Sequence, residues 1–153
     1  MAGIKFVAGV RNLDTGTAEP QTVIQITAAS NHRVLIRAAS ISFRGTNTTE
    51  EPISVTLMHT DGDGTPISPE TSYINKMDQD AAETLQTTVE SGHTAEPGGK
   101  VPLNTWDIHW QTGVIYPMPI PDDLPVRGGK GFAIVIENVT TDVKCSAWIE
   151  GEE

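Results

Sequence analysis

Gly131-Phe-Ala-Ile-Val-Ile-Glu137, a polar connector Asn138-Val-Thr-Thr-Asp142, and Val143-Lys-Cys-Ser-Ala-Trp-Ile-Glu150 form the stretch whose reading decides the class of this chain. In the first arm Phe132, Ile134 and Ile136 share one face, and Ala133, Val135 and Glu137 share the other. In the second arm Val143, Cys145, Ala147 and Ile149 alternate with Lys144, Ser146, Trp148 and Glu150. Alternation of period two with β-branched residues marks strands, because successive side chains leave opposite faces of a pleated backbone. The connector is made of residues whose side chains bond turn backbone, so the two arms read as a hairpin. A lone hairpin is marginal in water, so the arms belong to a larger sheet stacked on a second one.

Working outward, the same alternation recurs upstream. Ile4 to Val10 reads as a short first strand, followed by a turn-prone stretch to Gln21, and Thr22 to Ala28 reads as a second strand. In the long run Arg33 to Arg44, Val34, Ile36 and Ala38 hold one phase while Ala39, Ile41 and Phe43 hold the opposite one. A single extra residue near Ala38-Ala39 reconciles the two phases, which predicts a β-bulge there. Ile53, Val55 and Leu57 begin another strand. From Asp61 to Glu83 the pattern lapses into a long connection, expected to be mobile or to touch a neighbouring subunit. Ser72 to Glu83 has room for a helical turn or two, with Ile74, Met77 and Ala81 facing inward. Strand signals resume at Thr84 to Glu90 and again at Asn104 to Gln111, where Trp106, Ile108 and Trp110 share a face. Thr112-Gly113 reads as a tight hairpin into Val114-Ile115-Tyr116, and Pro117, Pro119, Pro121 and Pro125 confine their own segment to an edge or an extended crossing. Nine or so short strands with almost no helix predict an all-β sandwich, and their number suits a jelly roll of about 8–10 strands.

The composition narrows the partners. At 153 residues the chain reads as one domain, with residues 1–20 as an N-terminal arm or edge strand and 21–153 as the sandwich. Ten Lys and Arg stand against twenty Asp and Glu, a formal charge of −10. That balance argues against nucleic acid or an anionic membrane, since phosphate binding rests on Lys and Arg. No run of 18 apolar residues is long enough to span a bilayer, and the start lacks the apolar core of a secretion signal, so a reducing cytoplasm is the expected site of synthesis. The single cysteine, Cys145, excludes an intrachain disulfide and, mid-strand among apolar neighbours, reads as a buried inert thiol.

Each chemical motif has a plain structural counterpart. Asp61-Gly62-Asp63-Gly64 is the sharpest metal candidate, since Asp61 and Asp63 place two carboxylates two residues apart. The further oxygen ligands of a calcium loop are missing at the required offsets, and Asp-Gly is also turn chemistry. His32, His59, His93 and His109 sit on separate elements without ligand spacing. No G-x-S-x-G elbow supports a serine nucleophile, and Gly128-Gly129-Lys130-Gly131 precedes a strand, so it lacks the helix dipole that a phosphate cradle uses. Glu50-Glu51 and Asp122-Asp123 read as solvated loop charges. Trp106 and Trp110 favour core or subunit interface over a sugar platform, whereas Trp148, beside Lys144, Ser146 and Glu150, reads as a partly exposed anchor for a protein contact. No cofactor and no enzymatic activity are expected.

The run Arg33-Val-Leu-Ile-Arg-Ala-Ala-Ser-Ile-Ser-Phe-Arg-Gly-Thr46 with Ile53-Ser-Val-Thr-Leu57 resembles a set of small proteins encoded by tailed bacteriophages. Leu85-Gln-Thr-Thr88, Thr94-Ala-Glu-Pro97, Val126-Arg-Gly-Gly-Lys-Gly-Phe-Ala-Ile134 and Trp148-Ile-Glu-Gly-Glu-Glu153 are similar to the same set. Those proteins are head decoration, or cement, proteins: sandwich modules on the outside of the capsid that bind between coat subunits. The resemblance implies a structural virion protein on the outer capsid surface, partnered by the major capsid protein and by itself, most simply as a homotrimer. It carries no residue-level site. The short strand Ile4 to Val10 and the turn-prone residues after it suggest an arm, Met1 to Pro20, that reaches a neighbouring subunit. Ile4, Phe6 and Val7 are then its contact residues. A carbohydrate-binding or fibre-type module, a small metal-binding sandwich enzyme and another shell or tail subunit are the competing expectations.

Overall fold

A computed structural model describes residues 3–15, 20–45, 51–118, 124–137 and 143–153. Among these residues there are eleven strands and no helix: β1 Lys5–Asp14, β2 Gln21–Thr27, β3 Val34–Arg44, β4 Ile53–Thr60, β5 Tyr73–Lys76, β6 Thr88–Ser91, β7 Val101–Ile108, β8 Gly113–Pro117, β9 Leu124–Val126, β10 Gly131–Ile136 and β11 Lys144–Glu152. They form two antiparallel sheets. The first runs β5-β1-β11-β3-β8, with β9 also on β3, and the second runs β6-β2-β10-β4-β7. Without β5, β6 and β9, the order is β1-β11-β3-β8 facing β2-β10-β4-β7, in which each successive strand switches sheet except β4 and β7, which pair with each other. That is the double Greek key of a jelly roll.

The alternation visible in the sequence is what fills the core. Phe132, Ile134 and Ile136 of β10, Ile24 and Ile26 of β2, and Ile53, Val55 and Leu57 of β4 face Phe6, Ala8 and Val10 of β1, Cys145, Ala147 and Ile149 of β11, and Ile36, Ala39 and Ile41 of β3. The phase conflict in β3 is resolved as expected. Glu150 pairs with Ala38 while Gly151 pairs with Ile36, so Arg37 is the extra residue of a bulge and the strand returns its apolar side chains to the core.

Three expectations are corrected by the pairing. The Gly131 to Glu150 arms are strands but not a hairpin, because β10 lies in the second sheet and β11 in the first; the connector 138–142 is outside the described residues. The turn at Thr112, whose N–H donates to the His109 carbonyl at 2.9 Å, likewise joins β7 of one sheet to β8 of the other. Period two is the same whichever sheet a strand enters, so local alternation cannot distinguish a hairpin from an arch between layers about 10 Å apart. Finally, Lys5–Asp14 is not an arm or an edge. It pairs with β11 on one side and β5 on the other, and Phe6 is fully buried. Residues 1–2 and 16–19 of the expected arm lie outside the described residues.

The long connection after β4 is also built into the sandwich. Tyr73–Lys76, expected to be helical, is an edge strand on β1, with Ile74 packed on the core and Met77 exposed. Thr88–Ser91 is an edge strand on β2. One insertion therefore extends both sheets on the same side. Its flanks cover the outer face of the second sheet: the Gln25 amide donates to the Asp63 carbonyl at 3.1 Å and accepts from the Thr60 hydroxyl at 2.6 Å. Glu96 accepts from the Thr22 N–H at 2.7 Å and from its hydroxyl at 2.5 Å. These bonds satisfy the polar groups that burial would otherwise strand, and they let Met58, Ala133 and Val135 form a small second apolar cluster.

Candidate interaction face

The outer face of the first sheet differs in character. One transverse row crosses it through consecutive pairings: Tyr73 opposite Gly9, Gly9 opposite Trp148, Trp148 opposite Ser40, and Ser40 opposite Ile115. The next row on the same face is Asn75, Val7, Glu150, Ala38 and Pro117. Large side chains therefore alternate with small ones, Gly9 and Ser40, along this row. Gly9 is required for this. A Cβ there would sit 2.4 Å from the Tyr73 hydroxyl oxygen, so the ring lies across β1 toward Trp148. The Arg11 guanidinium sits 5.3 Å from the Tyr73 ring centroid and holds that side of the row by a cation–π contact. Ile115 is 68% exposed, the most of any large apolar side chain described.

The two strands on the side away from the insertion are open. Val101 and Leu103 on β7 are exposed, as is Ile115 on β8, so three of the four exposed large hydrophobic residues lie on these two strands. Trp106 and Tyr116 close the gap between the two sheets there, with ring centroids 5.1 Å apart. Trp110 stacks on His109 at 5.4 Å. Both Trp106 and Trp110 pack against the core, in keeping with the core reading of that stripe.

The contact residues suggested by the sequence separate. Val7 and Trp148 are half-buried on the outer face, while Ile4, also half-buried, bonds the Glu153 backbone beside it. Phe6 is removed from the candidates, because its ring belongs to the core. Tyr73 and Ile115, which complete the row, are not identifiable from the sequence. Nothing local marks them, and they meet Trp148 only through long-range pairing.

The chemical candidates are each engaged elsewhere. Asp61 accepts from Lys130 Nζ at 2.6 Å, and Asp63 accepts from the Gly98 N–H at 2.7 Å. Among the described residues no three His, Cys, Asp or Glu side chains gather as a metal would require. The histidines remain apart: His32 on Glu153, His93 on Glu90, His59 against the Phe132 ring edge and His109 on Trp110. Glu50, Asp122 and Asp123 lie outside the described residues. Burial pushes the Cys145 thiol up to about 12, and the nearby Asp14 carboxylate adds to the rise. Since only thiolate reacts, Cys145 is expected to resist iodoacetamide at pH 8 in the folded protein and to alkylate fully in denaturant. Mass spectrometry of the two samples checks this; rapid labelling of native protein would contradict the burial.

Comparison with protein-family models, with curated proteins and with solved structures finds no match to this chain.

Proposed function

We propose that this chain is a structural decoration protein of a tailed-phage head, seated on the outer capsid surface and tying coat subunits together. Its partners are then the major capsid protein and further copies of itself, as a homotrimer. The observation that supports this most is the Tyr73-Gly9-Trp148-Ser40-Ile115 row on the outer face of a double-layered sandwich. Protein contacts draw their affinity from a few aromatic and aliphatic anchors that become dehydrated in the interface, and this row supplies them. Ladders hold β1, β11 and β3 on both sides and β5 and β8 on one, so little of the row has to be ordered on contact, which keeps the entropic cost of binding low.

The experiment is to image purified particles with and without the protein, then to repeat with Ile115→Ser and Trp148→Ala. Anchors of this kind contribute about 2 kcal/mol or more, so each variant is expected to bind particles at least about 30-fold more weakly. Ile115→Ser, at an exposed position, is expected to leave the melting temperature unchanged. Particles that carry no added outer density with wild-type protein would end the reading. Normal decoration by both variants would move the contact to another face.

A carbohydrate-binding module is the second reading, favoured by one specific feature. Trp148 and Tyr73 share a row, with Arg11, Asn75 and Glu150 beside them, which is the mix of ring faces and polar groups that stacks and hydrogen-bonds a sugar. A glycan array distinguishes the two readings: hits lost in Trp148→Ala support the sugar, and a blank array removes it.

A further inference from the structure

A cleft of about 280 Å³ opens at one end of the sandwich, between the start of β7, the end of β4 and the turn before β10. It is lined by His59, Asp61, Val101, Pro125, Arg127 and Lys130 among others. Two of the ten Lys and Arg and a histidine line the cleft with the Asp61 carboxylate, and the Asp63 carboxylate lies beside Asp61, since both come within 3.7 Å of a Cβ placed on Gly98. The cations are held together by the backbone. The Lys130 N–H donates to the Arg127 carbonyl at 3.0 Å, so the two residues are the first and last of a tight turn and their Cα atoms are within about 7 Å. That turn is itself pinned. Gly129 N–H donates to the Ala28 carbonyl at 2.9 Å, Ala28 N–H donates to the Lys130 carbonyl at 3.0 Å, and Gly128 lies so close to Ser30 that a Cβ would come within 2.3 Å of its carbonyl oxygen.

The two cations differ in how they are engaged. Lys130 is paired with Asp61, whereas Arg127 has no ion-pair partner among the described residues. The rest of the lining is Val101 and Pro125, which are apolar, with Thr60 and Gly99, and the His59 ring is held against the edge of Phe132 at 6.5 Å.

We infer that this cleft binds a compact oxyanion, a carboxylate or phosphate, carried on an apolar stem. The planar guanidinium of Arg127 presents two parallel donors to such a group, Lys130 adds a second charge across the turn, and the stem lies on Val101 and Pro125. Asp61 acts against the ligand by occupying Lys130.

The test is an amide NMR titration of the full chain with glutarate, with inorganic phosphate and with neutral glutaramide. Saturable shifts confined to Thr60, Asp61 and Arg127 to Gly131 are expected for the anions and none for glutaramide. A charge-assisted hydrogen bond contributes about 1.5–3 kcal/mol, so Arg127→Gln is expected to weaken anion binding at least about tenfold. Asp61→Asn is expected to tighten it about threefold, since an exposed ion pair contributes at most about 1 kcal/mol. The rest of the spectrum reports that both variants are folded. Tighter glutarate than phosphate identifies a carboxylate-bearing partner chain as the source, and the reverse order identifies a phosphoryl group. Shifts that never saturate, equal binding by Arg127→Gln, or equal response to glutaramide would overturn the proposal.

Discussion

Phe6→Ala is expected to destabilise the protein by about 3–5 kcal/mol, a large share of the roughly 5–15 kcal/mol that holds a domain of this size together. Phe6 is fully buried in β1, and its ring packs so closely over Gly151 of β11 that a Cβ there would come within 2.7 Å of it. Truncating the ring removes apolar area from the centre of the first sheet and leaves a cavity that the flanking strands β5 and β11 cannot collapse around, since their ladders fix their spacing. The melting temperature is expected to fall by at least about 6 °C, measured by scanning calorimetry. Val7→Ser, one residue along and on the outer face, serves as the control, with an expected cost below about 1 kcal/mol. The outcome also separates an interior strand from an arm: an arm residue would leave the monomer's melting unchanged, so a wild-type transition for Phe6→Ala would contradict the pairing of β1.

Glu153 gives the second large effect. Its side chain is 1% exposed, and burial alone would push its carboxyl up. Hydrogen bonds outweigh that. The Thr87 hydroxyl donates at 2.5 Å, the Thr87 N–H at 2.6 Å and the Gln86 N–H at 3.1 Å, while His32 Nδ1 lies 2.7 Å away, and together they hold the carboxyl below its usual value. Through these bonds Glu153 ties the end of β11 to the segment leading into β6, on the opposite sheet. Glu153→Ala leaves those donors without an acceptor and is expected to cost about 2–3 kcal/mol at pH 7. The pH dependence has a definite sign. A carboxyl whose value is lowered by folding stabilises the folded state fully above its unfolded value near 4.5, and that share is lost as the pH falls through the folded value. Glu152 adds to the same slope, since the Arg37 guanidinium at 2.5 Å holds its carboxyl down as well. Urea midpoints are therefore expected to be flat from pH 7 to about 5 and to fall below about 4.5, with a shallower fall in Glu153→Ala. A wild-type curve that rises on acidification would contradict the clamp.

The face that carries the proposed function is only partly legible in the sequence. Trp148 is marked by the polar residues that share its face, Lys144, Ser146 and Glu150, so its place on the outer side follows from period two alone. Tyr73 sits in a segment whose pattern suggests a helix, and Ile115 sits in what reads as a hairpin arm. Their placement beside Trp148 depends on β5 joining β1 and β8 joining β3, pairings whose partners lie 64 and 75 residues apart at Gly9–Tyr73 and Ser40–Ile115. Gly128-Gly129-Lys130-Gly131 does lack a helix dipole, as its place before a strand implies. The cations of the cleft act instead through a turn pinned to Ala28 and Ser30, residues about a hundred positions upstream.

What the amino-acid order determined by itself is local: an all-β chain, the faces of β10 and β11, the bulge in β3, the inert setting of Cys145 and the inward stripe of Trp106. Each depends on which side of one strand a residue occupies, and burial of the apolar side enforces it wherever that strand ends up. The tertiary structure alone decided which sheet each strand joined, that β1 is interior, and that the connection after β4 edges both sheets. Those choices rest on backbone ladders and core contacts between distant segments, and every strand offers the same hydrogen-bonding groups to any partner, so only the collective filling of one core selects among them.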